Sequence, residues 1–148
     1  MAFWNSSLFD RLVRPFATTL YRLLKPSRSA LRPQTSGAHA LALTPERRVV
    51  LVKLRYAPGW RLPGGGRGKD EDIRDAVLRE LREEIGMTSH GVVRVSGIAE
   101  LMIVEDVRYC PRKWSWEVEA IREAALDDLP SDLSSRAAEW IVALEGRL

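Results

Sequence analysis

The sequence predicts an α/β fold: short strands forming a mixed β-sheet, a helix packed on each side, and an extra amphipathic helix at the N-terminus. Three observations lead there. The runs Ala38–Leu43 and Val49–Arg55 are short and apolar, bounded by turn-forming residues, and read as strands. Ile73, Val77, Leu81 and Ile85 recur every four residues and give one internal helix an apolar stripe. Ala137, Trp140, Ile141 and Leu144 repeat the device in a final helix over about 134–145. Each helix has a single face to bury, and a sheet between them accepts both.

The chain of 148 residues is 45% hydrophobic, which suits one domain with a filled core. Its single cysteine, Cys110, excludes an internal disulfide framework and fits a reducing, cytoplasmic compartment. One cysteine and two histidines, His39 and His90, make a zinc site a poor expectation. The net charge of +3 is uneven. Residues 1–36 hold six basic side chains and one acid, a net +5, which leaves −2 for residues 37–148. The sequence thus divides into a basic arm with linker, 1–36, and a domain, 37–148, and no nucleic-acid partner is expected from the domain's charge.

In chain order, Leu8, Phe9, Leu12, Val13, Phe16, Leu20, Leu23 and Leu24 follow helical spacing, with Pro15 as an interruption and Pro26 as the end. Arg11, Arg14, Arg22 and Lys25 occupy the polar side of residues 6–25. Three readings of this arm stand together: packing on its own domain or on a partner subunit in a homodimer, peripheral contact with an anionic membrane surface, and a removed transit sequence. Charge interrupts it too often for it to span a bilayer. The segment 44–48 is a turn between the first two strands, and Tyr56–Trp60 leads into a glycine loop, Leu62–Gly66. Trp60 reads as a lid on the core, with substrate stacking as the rival reading. After the internal helix, Gly86 acts as a C-cap glycine. Val92–Val95 and Ile98–Val104 read as strands joined by a tight turn at Ser96-Gly97. Trp114, Trp116, Val118 and Ala120 alternate with polar residues, which predicts a half-buried strand with both tryptophans packed on its inner face. Asp127–Pro130 is a loop before the last helix.

The internal helix carries the chemistry. Glu80, Glu83 and Glu84 fall within roughly 100° of one another around its axis. Like charges at that spacing destabilise an isolated helix by about 0.2–0.5 kcal/mol per pair. A hard divalent cation relieves the repulsion, since oxygen-only ligands suit Mg²⁺ or Mn²⁺. A solvated acidic face is the bland alternative. The glycines just before the helix favour a ligand, because their backbone can approach one closely and present amides or carbonyls.

The stretch Gly65–Met87 resembles the Nudix box: Gly, five residues, Glu, seven residues, Arg-Glu, an aliphatic, one residue, Glu-Glu, one residue, Gly, an aliphatic. Those places hold Gly65, Glu71, Arg79, Glu80, Leu81, Glu83, Glu84, Gly86 and Met87, so all nine match. The resemblance implies the Nudix α/β/α sandwich and metal-dependent hydrolysis of a diphosphate linkage in a nucleoside diphosphate derivative. It implies Glu80, Glu83 and Glu84 as metal ligands for Mg²⁺, or Mn²⁺ in its place, with the Gly64 carbonyl as a further ligand. Arg79 then orients Glu80 or Glu83, Glu71 holds Arg79 or the loop, and Gly65 and Gly66 meet the substrate's phosphates. The general base is one of the helix carboxylates or a later glutamate, with Glu100, Glu105, Glu117 and Glu119 eligible. The segment between Met87 and Trp114 is short for the family, which leaves the substrate open. The rivals are a non-catalytic nucleotide-sensing module of the same fold and a membrane- or partner-binding protein that works through its arm.

Overall fold

Alternation of side chains along three strands decides the architecture. The computed structural model describes residues 36–148. The expected N-terminal helix and its membrane, partner or transit roles lie outside the described residues. β1 (Ser36–Ala42), β2 (Val49–Leu54) and β7 (Leu101–Val104) are each buried on both faces. Their residues sort by parity. Ala38, Ala40, Ala42, Val50, Val52, Leu54, Met102 and Val104 join one core. Leu41, Leu43, Val49, Leu51, Leu101 and Ile103 join the other. Strand side chains alternate between faces, so two cores with this parity require a sheet covered on both sides.

Helix α1 (Ile73–Glu84) covers the first face with Ala76, Val77, Leu78 and Leu81, and Ile85 follows just beyond its end. Helix α2 (Ser135–Leu144) covers the second with Ala137, Ile141 and Leu144. The α/β/α sandwich is therefore present. Asp72 caps α1 by accepting from the Arg74 N–H at 2.8 Å, and Ser134 caps α2 by accepting from the Ala137 N–H at 3.4 Å. Gly86 and Gly146, both at positive φ, follow the two C-caps.

The sheet is mixed. β4 (Gly64–Arg67), β1, β7 and β6 (Val93–Val95) lie in that order, with β1 and β7 parallel and the other pairs antiparallel. A second, antiparallel group runs β3 (Trp60–Arg61), β2, β9 (Val118–Ala124). β5 (Met87–Ser89) pairs with β8 (Arg108–Tyr109). An antiparallel bridge from Leu43 to Val49 joins the first two groups.

Three expectations need correction. The glycine segment is not a free loop. Gly64 pairs with His39 and Gly65 with Ala38, so its backbone forms strand β4. Absence of side chains is what lets it lie there: a Cβ on Gly64 would meet the Ala38 carbonyl oxygen at 2.4 Å. The turn between β6 and β7 is not a two-residue hairpin. The Ser96 hydroxyl accepts from the Ile98 N–H at 3.0 Å and donates to the Leu101 carbonyl at 2.6 Å, which organises a longer connection. Trp114 and Trp116 are not packed on the inner face of a strand. β9 begins only at Val118, and both rings lie on the surface.

Candidate active site

Helix α1 lies against strand β4, and the contact between them builds the site. Arg79 is its hub. Its Nε donates to Glu71 Oε1 at 2.9 Å, and its Nη2 donates to Glu71 Oε2 at 3.1 Å and to the Gly66 carbonyl at 3.0 Å. Its Nη1 donates to Glu80 Oε1 at 2.7 Å and stands 3.7 Å from Glu83 Oε2. Glu71 also accepts from the Gly68 N–H at 3.0 Å. One planar guanidinium thus ties helix, loop and glycine strand together, which an ammonium could not do. The bond to Glu71 is the main cause that pushes the Arg79 pKa higher still, so its charge is permanent.

The three helix carboxylates occupy different environments. Glu80 has a side chain only 12% exposed. Burial raises its pKa, opposed by the hydrogen bond and charge of Arg79 and reinforced by the charges of Glu83 and Glu117. Glu84 is buried, and its Oε2 accepts from the Gly64 N–H at 2.8 Å. Glu83 is the outer member, with its side chain 53% exposed. Gly65 stands beside Glu80, where a Cβ would come within 2.6 Å of Oε1. Only glycine leaves the carboxylate its place.

Hard-metal chemistry fits this donor set. Every candidate ligand is oxygen: the carboxylates of Glu80, Glu83 and Glu84, and the Gly64 carbonyl. The missing side chain at Gly65 is what leaves the Glu80 carboxylate, one of these donors, its position. As placed, the carboxylates point at Arg79 and at the Gly64 amide, and among the described residues no three His, Cys, Asp or Glu side chains converge tightly enough to grip one ion.

A cavity of about 240 Å³ opens on Glu83 and Glu84. Its other walls include Glu119, Arg55, Arg112, Lys113 and Trp114. Of the four later glutamates that the sequence leaves eligible, Glu119 lines this cavity. Glu117 stands nearby, accepting from the Tyr56 hydroxyl at 2.7 Å. Burial is the largest cause, ahead of the Glu117 charge and hydrogen bond, that raises the Tyr56 pKa far above the ordinary tyrosine range. Glu100 accepts from the Gly37 N–H beside His39, and Glu105 bridges Arg47 and Arg94, both apart from the cavity. A second cavity, about 250 Å³, lies against the start of α2, lined by His39, Arg61, Gly64, Ser134, Arg136 and Trp140. Trp60 lines neither cavity. It packs against the α2-side core under the Lys53 ammonium, 5.9 Å from its ring, as a lid does.

Sequence reasoning missed the cationic wall of Arg55, Arg112 and Lys113. Its signal was faint: two adjacent cations beside two tryptophans, in a segment whose alternation suggested a strand. Cys110 is exposed at the end of β8, with its N–H donating to the Gly86 carbonyl at 3.0 Å.

The NUDIX domain model matches residues 33–144. A protein of Arabidopsis thaliana named Nudix hydrolase 27, chloroplastic, is 31% identical over 80 residues, which are 51% of this chain and 35% of that protein. An RNA pyrophosphohydrolase of Gluconacetobacter diazotrophicus is 36% identical over 63 residues, 36% of this chain and 38% of that protein. The matches therefore span little more than a third of these relatives. Among solved structures, a MutT NUDIX hydrolase from Burkholderia pseudomallei superposes with a TM-score of 0.58 at 27% identity, covering 74% of this chain and 96% of that one. No described helix is long and apolar enough to cross a membrane.

Proposed function

The chain belongs to the NUDIX domain family, and from that premise we propose that it is a divalent-metal-dependent hydrolase of a diphosphate linkage in a nucleoside diphosphate derivative. One observation carries the proposal. Arg79 joins Glu71, Glu80 and the Gly66 carbonyl, and Glu84 accepts from the Gly64 N–H, so two carboxylates of one helical turn are held against the glycines of β4, with Glu83 beside them at the exposed edge. A purely structural helix has no need of buried Glu80 and Glu84, because burying a carboxylate is unfavourable unless charge or hydrogen bonds offset it. The matched relatives are named as a Nudix hydrolase and a pyrophosphohydrolase, which supports the reaction class.

In this reading Glu80, Glu83, Glu84 and the Gly64 carbonyl hold Mg²⁺, or Mn²⁺ in its place. The bound ion neutralises phosphate charge and lowers the pKa of water. The protein's own part is placement. Arg79, fixed by Glu71, sets the orientation of Glu80. The Gly66 amide, on the side of β4 turned away from β1, meets phosphate oxygens, whereas the Gly65 amide is taken by its pairing with Ala38 in the sheet. Arg55, Arg112 and Lys113 balance the charge of the diphosphate from across the cavity. Glu119, which lines the cavity with Glu83 and Glu84, takes the proton from the attacking water in this reading. The domain occupies 37–148 and is preceded by the basic arm, residues 1–36.

The test is product release from a panel of nucleoside triphosphates, nucleotide sugars and dinucleoside polyphosphates, with Mg²⁺ and with Mn²⁺, for the wild type and Glu83→Gln. Turnover should require the ion and fall by more than about 100-fold in the variant, since loss of contacts one shell further out already costs 10–100-fold. Metal-dependent binding without turnover would replace this reading with the nucleotide-sensing one.

A further inference from the structure

Two tryptophans sit on the surface in the loop between β8 and β9. Trp114 is 54% exposed and Trp116 71%. Their rings pack edge to face, with centroids 4.2 Å apart and an interplanar angle of 81°. In such a pair the edge-on ring keeps its broad faces uncovered by its partner. Ser115 between them anchors the loop. Its carbonyl accepts from Arg55 Nε at 3.0 Å, and its hydroxyl accepts from the N–H groups of Glu117 at 3.2 Å and Val118 at 3.0 Å. The rings are thus presented on a fixed backbone, which lowers the ordering cost of binding.

Position and charge select the occupant. Trp114 lines the same cavity as Glu83 and Glu84, and Arg112, Lys113 and Arg55 share that wall. Aromatic faces beside cations match a molecule with a flat base at one end and phosphates at the other. An apolar partner surface would leave those cations unmatched. We propose that Trp114, braced by Trp116, stacks the nucleobase of the substrate while Arg112 and Lys113 hold its diphosphate against the Glu83–Glu84 end of α1. The position given to the diphosphate rests on the hydrolase reading; the stacking does not. Stacking takes any base, so the platform favours nucleotides as a class and leaves the second group of the substrate to the other side of the site.

Titration of the full chain with ADP and with inorganic pyrophosphate, in one Mg²⁺ buffer, tests it. The wild type should bind ADP more tightly than pyrophosphate. Trp114→Ala should weaken ADP by about 5- to 150-fold, the range found when a stacking aromatic is removed, and change pyrophosphate by less than about twofold. Trp114→Tyr should restore most of the loss. Unchanged ADP binding in Trp114→Ala overturns the proposal, as does an equal loss for both probes. Concentration-dependent self-association that Trp116→Ala abolishes, with ADP binding intact, overturns it in favour of a second copy as occupant. The two readings separate cleanly. Tryptophan-dependent ADP binding without hydrolysis of any panel member keeps the platform and removes the hydrolase. Hydrolysis with a KM that Trp114→Ala leaves alone does the reverse.

Discussion

A methyl group at position 65 would sit inside the carboxyl group of Glu80. An alanine Cβ there meets Oε1 at 2.6 Å, Cδ at 2.8 Å and Oε2 at 2.9 Å. The carboxylate must rotate away, and in doing so it leaves Arg79 Nη1, now 2.7 Å distant. Because the obstructing atoms end a flexible side chain, the backbone need not move. Overpacking of this mild kind costs about 1 kcal/mol, the low end of the usual 1–3. Loss of the half-screened ion pair adds about another 1 kcal/mol at most. A total near 1–2 kcal/mol should lower Tm by roughly 3–10 °C. Activity should suffer far more, since a displacement of about 1 Å in a positioned group costs on the order of 100-fold. Gly64→Ala provides the contrast. Its Cβ meets backbone, the Ala38 oxygen at 2.4 Å and the His39 Cα at 2.6 Å, at a φ of 151°. Strain of about 1–3 kcal/mol from that φ and a similar overpacking term would remove a large part of a typical stability of about 5–15 kcal/mol. Thermal unfolding and metal-dependent turnover, measured on both variants, check the argument. Gly65→Ala with wild-type turnover would refute it, and so would equal destabilisation of the two variants.

Three further outcomes follow from the same geometry. Arg79→Lys keeps the charge but cannot reach Glu71, Glu80 and the Gly66 carbonyl together; steady-state kinetics should show kcat down about 10- to 100-fold with a smaller change in KM. Glu119→Gln should lower kcat by about 10²–10⁴-fold, whereas Glu100→Gln and Glu105→Gln should stay near wild type; equal effects in all three would remove Glu119 from its proton-transfer role. Burial and the hydrogen bond to Glu123 push the Tyr109 hydroxyl up to about 12. The folded state then holds this proton after the unfolded chain, at about 10, has lost it. Its contribution to stability is therefore whole below pH about 10 and is lost as pH rises toward 12. Urea unfolding across that window should fall less steeply with pH in Tyr109→Phe than in the wild type.

The layers were legible because the evidence for them is periodic. Val77, Leu81 and Ile85 repeat at helical spacing, and all three are fully buried on the α1 side. Ala137, Ile141 and Leu144 do the same on the α2 side. The strands β1 and β2 were legible as apolar runs, although their two-faced burial needs both helices in place before it has a cause. Local misreadings came where side chains give no signal. Gly64 to Gly66 have none, so only pairing with β1 reveals that this segment is a strand. Ser96 looks like a turn residue, but its buried hydroxyl reaches the Leu101 carbonyl five residues on and sets a longer connection.

The site divides along the same line. Spacing on one helix put Glu80, Glu83 and Glu84 on one side of a turn, and Arg79 proved able to reach Glu71 and Glu80 together. Those relations are local, fixed by 100° per residue and by a loop of a few residues. The opposing wall is not local. Arg55 follows β2, while Arg112, Lys113 and Trp114 precede β9, and the two segments meet only because β2 and β9 pair antiparallel from Val49–Ala124 to Leu54–Val118. The tryptophans misled for a related reason. Period-two alternation from Trp114 to Ala120 is real, but the pairing with β2 stops at Val118 and Ser115 turns the chain by capping the amides of Glu117 and Val118. Alternation without a partner strand does not bury anything, so the same pattern that would have made Trp114 and Trp116 core residues leaves both facing solvent, with Trp114 on the cavity of the carboxylates.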